Sequence, residues 1–344
     1  MSARVAFVGC GTHATNNIFP MLKYARCQLD SVCDLNEELA RRNAQLFGAE
    51  AAYTDVRRLL DERKVDGVFV VGPPSMHHEV GKLVLERGLP LFVEKPPAPS
   101  LAQTQELVDV ARQHGTWFMV GFMKRFGMTY RKAQELITSG QFVPAAGSFK
   151  YGHWASNDLR GMLLGMCSHP LDLAVHFFGE VKSVNAVMSR DARRAISLAV
   201  TLRFRSGKWA QFMLDSSQPR IQERVEISGT MNGGNALIVV DNVERMELHR
   251  QGRNGIDVLA PLPEVNPQFD LADIQLWRPD NGIPNMGQTR HFFQGFAGEV
   301  REFANAILEK RPAVPGAAES LAVMRLIEAI AAKPDGETCF EPQP

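Results

Sequence analysis

The chain carries no excess charge of either sign, because 38 lysines and arginines balance 38 aspartates and glutamates. Without a net field it has no general attraction for nucleic acid or for an anionic membrane, and a small-molecule partner is the expectation. No apolar run approaches the ~18 residues of a membrane span, and no basic, apolar leader precedes the first strand near Arg4. A soluble, cytoplasmic protein follows from that reading. Cysteine is scarce: Cys10, Cys27, Cys33, Cys167 and Cys339 form no C-x-x-C pair. An odd, scattered set argues for reduced thiols and against a disulfide framework or a zinc site. His77 and His78 are adjacent instead of four apart, and no carboxylates have ligand spacing, so no metal is expected. A G-x-S-x-G nucleophile elbow, internal repeats and low-complexity tracts are also missing.

What is present begins at the N-terminus. Val5-Ala6-Phe7-Val8 leads into Gly9-Cys10-Gly11-Thr12-His13-Ala14, and a second apolar run reaches Asp34 twenty residues after Ala14. Gly9 suits a tight turn, Gly11 lets backbone approach a pyrophosphate, and Ala14 allows close helix-to-strand packing. The following helix would turn its free N–H groups toward the phosphates. The string therefore reads as a dinucleotide-binding βαβ unit. A carboxylate at Asp34 would accept ribose hydroxyls and repel a 2′-phosphate, which favours NAD over NADP.

At 344 residues the chain exceeds what one core usually supports, and its grammar changes once. Up to residue 123, short apolar runs alternate with helical patterns, predicting a parallel sheet: Val5 to Val8, Leu29 to Cys33, Ala51 to Tyr53, Gly67 to Val71, Leu91 to Val93 and Trp117 to Val120. Ser100 is positioned as an N-cap, Gly115 as a helix stop, and Pro20 as a kink or late start in the first helix. From residue 124 to 344, a helix near Tyr130 to Thr138 precedes strands joined by Gly and Asn turns, from Gly147 to Gly152 through Met246 to His249. The fold class is α/β, with an N-terminal Rossmann domain (1–123, a doubly wound parallel sheet) and a C-terminal α+β domain (124–344) on a mostly antiparallel sheet. Pro261 to Gly287 reads as a surface excursion. Two helices, Thr289 to Glu309 and Ala317 to Ala332, close the chain.

The second distinctive string is Glu94-Lys95-Pro96-Pro97, at the carboxyl end of a strand, where open α/β sheets bind ligands. Pro96 restricts Lys95 to extended geometry, which aims its side chain. Alone, the string is equally a solvated turn. Five strings in order change that: the glycine turn with Asp34, Gly72-Pro73-Pro74-Ser75-Met76-His77, Glu94-Lys95-Pro96, Gly121-Phe122-Met123-Lys124-Arg125-Phe126, and His169-Pro170-Leu171-Asp172. Together they make the chain resemble the Gfo/Idh/MocA family of nicotinamide-dependent oxidoreductases over nearly its whole length.

The resemblance implies a cofactor-binding set of Gly9, Gly11, Thr12, His13, Ala14, Asp34, Pro73, His77, Glu94 and Lys95. It also implies a catalytic Lys95 and His169 and a sugar, amino sugar or cyclitol substrate, while an exposed antiparallel sheet in the second domain points to assembly as a homodimer or homotetramer. Reaction at a carbinol carbon then needs a base for the hydroxyl proton and a donor for developing oxygen charge. Lys95 and His169 both qualify. The family also includes a cofactor-binding regulator and NAD-dependent glycosidases. The chain departs from the family where an aspartate commonly stands four residues before the histidine, since Gly165 occupies that place. Asp172, three residues after His169, is expected on the same helix face, either orienting the imidazole or making a structural contact. Arg125 binds substrate or forms a salt bridge, and His153, Trp154 and Asn157 either line a sugar site, with tryptophan stacked on the C–H face, or pack an ordinary loop.

Overall fold

A computed structural model describes residues 2–152, 157–251, 272–278 and 289–342. These residues form two compact units that do not follow chain order. Residues 2–127, 158–175 and 289–332 make the first, and the remaining stretches make the second. Relative to a division at residue 124, segments 158–175 and 289–332 thus return to the N-terminal unit.

The first unit is built on six parallel strands in the order β3-β2-β1-β4-β5-β6. They are β1 (Ala3–Val8), β2 (Cys27–Cys33), β3 (Ala51–Tyr53), β4 (Gly67–Val70), β5 (Leu91–Glu94) and β6 (Phe118–Gly121). Strands β4, β5 and β6 are buried at every residue, as expected of a parallel sheet covered on both faces. Strand order reverses between β1 and β4, and that crevice is where such sheets take ligands. Ser100 caps the helix Leu101–Gln113 by accepting the Gln103 N–H at 3.2 Å. Pro20 sits where a π-helical turn, Ala14–Ile18, gives way to a 3-10 turn, Phe19–Tyr24.

Phenylalanines hold this unit together. Phe7 stacks on Phe19 (centroids 3.8 Å) and Phe69 (5.5 Å), and Phe303 meets Phe69 edge-on at 4.8 Å. Each fully buried ring contributes about 1.5–3 kcal/mol. Phe303 belongs to the helix Phe296–Glu309, which is therefore fixed to the sheet. The continuous helix expected over Thr289 to Glu309 is in fact two, Thr289–Gln294 and Phe296–Glu309. Gly295 separates them at φ +104, where a Cβ would collide with the Met123 carbonyl oxygen. Helix Ala317–Ala332 matches expectation.

The second unit carries a nine-stranded sheet, β14-β13-β12-β11-β7-β10-β9-β8-β15. Its strands are β7 (Phe142–Gly152), β8 (Val181–Arg190), β9 (Ile196–Phe204), β10 (Trp209–Asp215), β11 (Gln222–Met231), β12 (Gly234–Asp241), β13 (Arg245–Gln251), β14 (Ala272–Trp277) and β15 (Gly336–Cys339). All neighbours are antiparallel except β7 and β10. In β9, buried residues alternate with more exposed ones from Ile196 to Phe204, the period of a sheet with one packed face. Arg205-Ser206-Gly207-Lys208, one of the glycine turns between strands, joins β9 to β10, with Gly207 at φ +81. Helix Met128–Thr138 buries Tyr130, whose hydroxyl bonds Glu223. Two strands depart from the sequence reading: β14 lies within the stretch expected to be an irregular excursion, and β15 pairs with β8. The rest of that excursion lies outside the described residues. Among the described residues no helix is long and apolar enough to cross a membrane, and no group of three His, Cys, Asp or Glu side chains is arranged to hold a metal. All five cysteines are free thiols.

Candidate active site

The glycine turn closes against β4. Gly9 adopts φ +98, and a side chain there would drive its Cβ into the Val71 carbonyl oxygen. Only glycine satisfies both conditions. Gly11 is the opposite case, since a Cβ there would meet nothing within 4 Å, leaving room for a ligand to approach the backbone. Asp34 is tied to this turn: its Oδ2 accepts the Cys10 N–H at 2.7 Å and its Oδ1 accepts the Asn36 N–H at 2.9 Å. Behind the turn, buried Asn43 donates to the Cys10 carbonyl (3.4 Å) and accepts from Thr15 Oγ1 (2.9 Å). Asn43 was not singled out from sequence.

A cavity of about 340 Å³ opens in front of the turn, lined by Gly11, Thr12, His13, Ala14, Val71, Gly72, Glu94 and Lys95. Six of the expected cofactor-binding residues thus share one space: Gly11, Thr12, His13, Ala14, Glu94 and Lys95. Gly9 and Asp34 support it from the turn. His77 is placed differently: it is fully buried, accepts the Gly72 N–H on Nε2 (3.0 Å) and donates from Nδ1 to the Pro96 carbonyl (2.8 Å). Both ring nitrogens are used, and burial pushes its pKa down. His77 therefore pins two cavity-lining loops together and offers no nitrogen to a ligand. Pro73 is exposed, at the start of the helix Pro74–Leu85, and is not among the cavity-lining residues.

At the end of β5, Glu94 is 5 % exposed and its Oε2 accepts the Lys95 N–H at 3.0 Å. Its Oε1 lies 3.2 Å from His13 Nε2. Burial opposes the Glu94 charge, but the His13 hydrogen bond and the attraction of His13, Lys95 and His77 outweigh it, so the carboxyl is held below its ordinary value. The Lys95–Pro96 peptide is cis. Lys95 Nζ donates to the Gly165 carbonyl at 3.0 Å. Burial lowers the Lys95 pKa, with neighbouring Lys124 adding to the effect.

Gly165 lies in a π-helical turn, Leu163–Cys167, running directly into the helix Ser168–Phe178. This places the Gly165 carbonyl one turn before His169. His169 is 8 % exposed and its buried Nδ1 has no hydrogen-bond partner within the protein. Burial, with the nearby charges of Lys95 and Lys124, drives its pKa well down, so the imidazole is neutral. A neutral imidazole beside an ammonium of lowered pKa is an arrangement able to accept and donate one proton.

Asp172 does not orient that imidazole. Its carboxylate receives Arg125 in a bidentate pair, Nε to Oδ2 at 2.8 Å and Nη2 to Oδ1 at 2.6 Å, and both side chains are buried. Arg125 thus spends its fork on Asp172, the salt-bridge alternative, and the pair shields both charges from solvent. Asn157 lies in the second unit, beside a separate cavity of about 570 Å³ shared with Arg193, Ser217 and Gln218. His153 and Trp154 fall outside the described residues.

A second group, Glu299, also escaped the sequence reading. Glu299 is fully buried on the helix Phe296–Glu309, neither carboxylate oxygen has a partner within the protein, and it senses the charges of Glu94 and Lys95. Burial first, and Glu94 second, push its pKa well up, so it holds its proton. The available signal was an acid on the apolar stripe Phe296, Val300, Phe303 and Ala304.

Comparison with known proteins agrees with this geometry. Residues 3–122 match the NAD-binding Rossmann fold of the GFO_IDH_MocA oxidoreductase family, and residues 137–336 match the family's C-terminal alpha/beta domain. D-glucoside 3-dehydrogenase of Escherichia coli (strain K12) is 30% identical over 199 residues, covering 53% of this chain and 56% of that protein. The match thus spans little more than half of that relative's length. A dehydrogenase from Chromobacterium violaceum superposes with a TM-score of 0.85 at 24% identity, covering 96% of this chain and 95% of its own. Levoglucosan dehydrogenase, solved with NADH and L-sorbose, superposes with a TM-score of 0.80 at 20% identity over the full length of both chains. With both domains matched in order along the chain, the protein belongs to the Gfo/Idh/MocA family of NAD(P)-dependent oxidoreductases.

Proposed function

We propose that the protein is an NAD-preferring dehydrogenase acting on a secondary alcohol of a sugar, amino sugar or cyclitol, or on the corresponding ketone. The observation carrying this reading is that Lys95 lines the cavity in front of the glycine turn while its Nζ reaches the helical turn preceding His169. The open approach at Gly11 and the backbone-anchored Asp34 fit a dinucleotide. When bound, the nicotinamide accepts or delivers the hydride. The chain's own work is proton management. His169, neutral because it is buried, accepts the hydroxyl proton, and Lys95 donates to the oxygen in the reverse direction. His77 holds Lys95 in place through the Pro96 carbonyl. The activities named for the glucoside and levoglucosan dehydrogenases support a sugar-like substrate.

A panel of glycosides, anhydrosugars, amino sugars and cyclitols incubated with NAD tests the reading by NADH formation. Turnover of at least one is expected. Cleavage of a glycoside without net NADH would replace this reading with an eliminating glycosidase. Asp34 supplies the cofactor preference, because its carboxylate repels a 2′-phosphate. Calorimetry should give tighter binding of NAD than NADP, and Asp34→Ala should narrow the gap by about tenfold, roughly 1.4 kcal/mol. Tighter NADP binding by the unaltered protein would contradict the assignment.

A further inference from the structure

Residues 95–100, between the end of β5 at Glu94 and the helix Leu101–Gln113, carry Lys95 together with three prolines, Pro96, Pro97 and Pro99. Proline has no N–H, so a loop this rich in it is held through its carbonyls, by donors from elsewhere. Two side chains supply such donors. His77 Nδ1 donates to the Pro96 carbonyl, and Arg160 Nη2 donates to the Pro99 carbonyl, each at 2.8 Å. The proton chemistry described above makes no use of Arg160.

Arg160 is itself fixed from two sides. Its backbone N–H donates to Asp158 Oδ1 at 3.2 Å, in the first turn of the helix Leu159–Met162. Its guanidinium forks onto Glu328 of the helix Ala317–Ala332, Nη1 to Oε2 at 3.1 Å and Nη2 to Oε1 at 2.7 Å. Glu328 Oε1 also accepts the Leu101 N–H at 3.2 Å, where the proline loop ends. Further along the segment that Arg160 opens come Gly165, whose carbonyl receives Lys95 Nζ, and then His169. The contacts therefore close a ring. It runs from Lys95 to Pro99 along one segment, across to Arg160, along the other segment to Gly165, and back to Lys95. The whole ring lies within the first unit.

We propose that Arg160 is a positioning residue: it holds the Lys95 loop against the turn of Gly165 and His169, so that the two proton-handling groups keep their spacing, and it acts without touching substrate or cofactor. The inference rests on the proposed roles of Lys95 and His169. The side chains of Arg160 and Glu328 are partly exposed, 41% and 32%, and ion pairs of that kind add little to stability. Their effect on placement is larger, because an error of about 1 Å in a reacting geometry costs up to about 10²-fold in rate. Loss of Arg160 would open the ring and leave the loop with its hold at Pro96 alone of the two side-chain clamps.

Hydrogen exchange on the NADH-loaded protein is the first measurement. Arg160→Met should speed exchange by about tenfold or more at residues 95–101 and 163–169, while β1 and β4 keep their protection. Turnover of the substrate found in the panel is the second. Its kcat should fall by about 10- to 100-fold, with the NAD dissociation constant and Tm close to those of the unaltered protein. Arg160→Lys keeps the charge but lacks the planar fork, and it should recover part of the rate. Glu328→Leu should reproduce the loss, and the double variant Arg160→Met, Glu328→Leu should be no slower than Arg160→Met alone. Unchanged exchange in Arg160→Met overturns the proposal whether or not a substrate is known. A normal kcat does the same, as does a loss of rate that tracks a fall in Tm through every variant. If the panel yields no turnover, or Lys95→Met keeps it, the proton assignment fails by itself, and exchange still decides whether Arg160 holds the two segments together.

Discussion

Arg125 and Asp172 are buried together, and each satisfies the other through a two-pronged pair. Elsewhere in the same unit, His169 keeps an unpartnered Nδ1 and Glu299 an unpartnered carboxyl. Both clusters sit in the same unit, and both pay the desolvation cost of leaving water. The first offsets part of it through charge-assisted hydrogen bonds, which hold Arg125 charged although burial still raises the Asp172 carboxyl. The second lacks such a pair, and all of its members shift toward a neutral form: His169 and Lys95 downward, Glu299 upward. Unpartnered, shifted groups are what proton transfer requires, and the difference supports the proposed roles of Lys95 and His169.

The comparison breaks most visibly at Lys95. If the unsatisfied cluster manages the proton, Lys95→Met should leave NAD affinity nearly intact and lower turnover by about 10² to 10⁴, the range of an acid–base group. His169→Asn should act likewise, and the double variant should lose less than the product of the two. Near-normal turnover by Lys95→Met on an identified substrate would end the catalytic assignment.

At the paired cluster, the expected damage falls on stability. Asp172→Asn leaves the buried Arg125 guanidinium with Glu319, 3.9 Å from Nη1, as its remaining carboxylate, an expected loss of about 3–5 kcal/mol by denaturant unfolding. The double variant Arg125→Met, Asp172→Leu removes both charges and should recover much of that loss. If Asp172→Asn unfolded like the unaltered protein while abolishing substrate binding, the pair would belong to the site instead of the scaffold.

Gly165 sharpens the contrast from the other side. A Cβ there meets nothing within 4 Å, and its carbonyl already receives Lys95 Nζ. Gly165→Asp should fit without repacking and place an anion near the ammonium, which favours the charged form of Lys95. The alkaline limb of the rate profile should move up by about one pH unit. An unmoved limb would mean that Lys95 does not set it.

How much of this was legible in the sequence depends on how local each signal is. The glycine turn, Asp34, the Ser100 cap and the Gly207 hairpin are written within a few residues, and the structure follows them. The β15 strand is not, because Gly-Glu-Thr-Cys has no strand pattern of its own and is drawn into register by β8. The Arg125 partner lies 47 residues away, so the sequence offered a substrate and a salt bridge as equal alternatives. The break at Gly295 is set by the Met123 carbonyl, a neighbour that no helical periodicity reveals. Glu299 is the instructive miss. Its position on an apolar helical stripe marked it as anomalous, but only the fold shows that the stripe runs beside Glu94 and Lys95.

Glu299 also supplies the smallest expected effect. Its folded-state pKa is raised well above the ordinary 4.5 by burial and by Glu94, so over the interval between those values the folded protein holds a proton that the unfolded chain has released. Stability is then greatest below the ordinary value and declines as pH rises toward the folded one. Glu299→Gln has no proton to lose and keeps the side-chain shape, so this decline should disappear. Measured as Tm from pH 5 to pH 8, the variant should gain on the unaltered protein progressively with pH. Glu94 has the opposite sense, since its lowered pKa costs stability only as pH falls, and a comparison made above pH 5 largely avoids it. A Tm difference that stayed constant across the range would show that Glu299 is ionised in the folded state and paired with Lys95, and the division between a satisfied and an unsatisfied cluster would have to be redrawn.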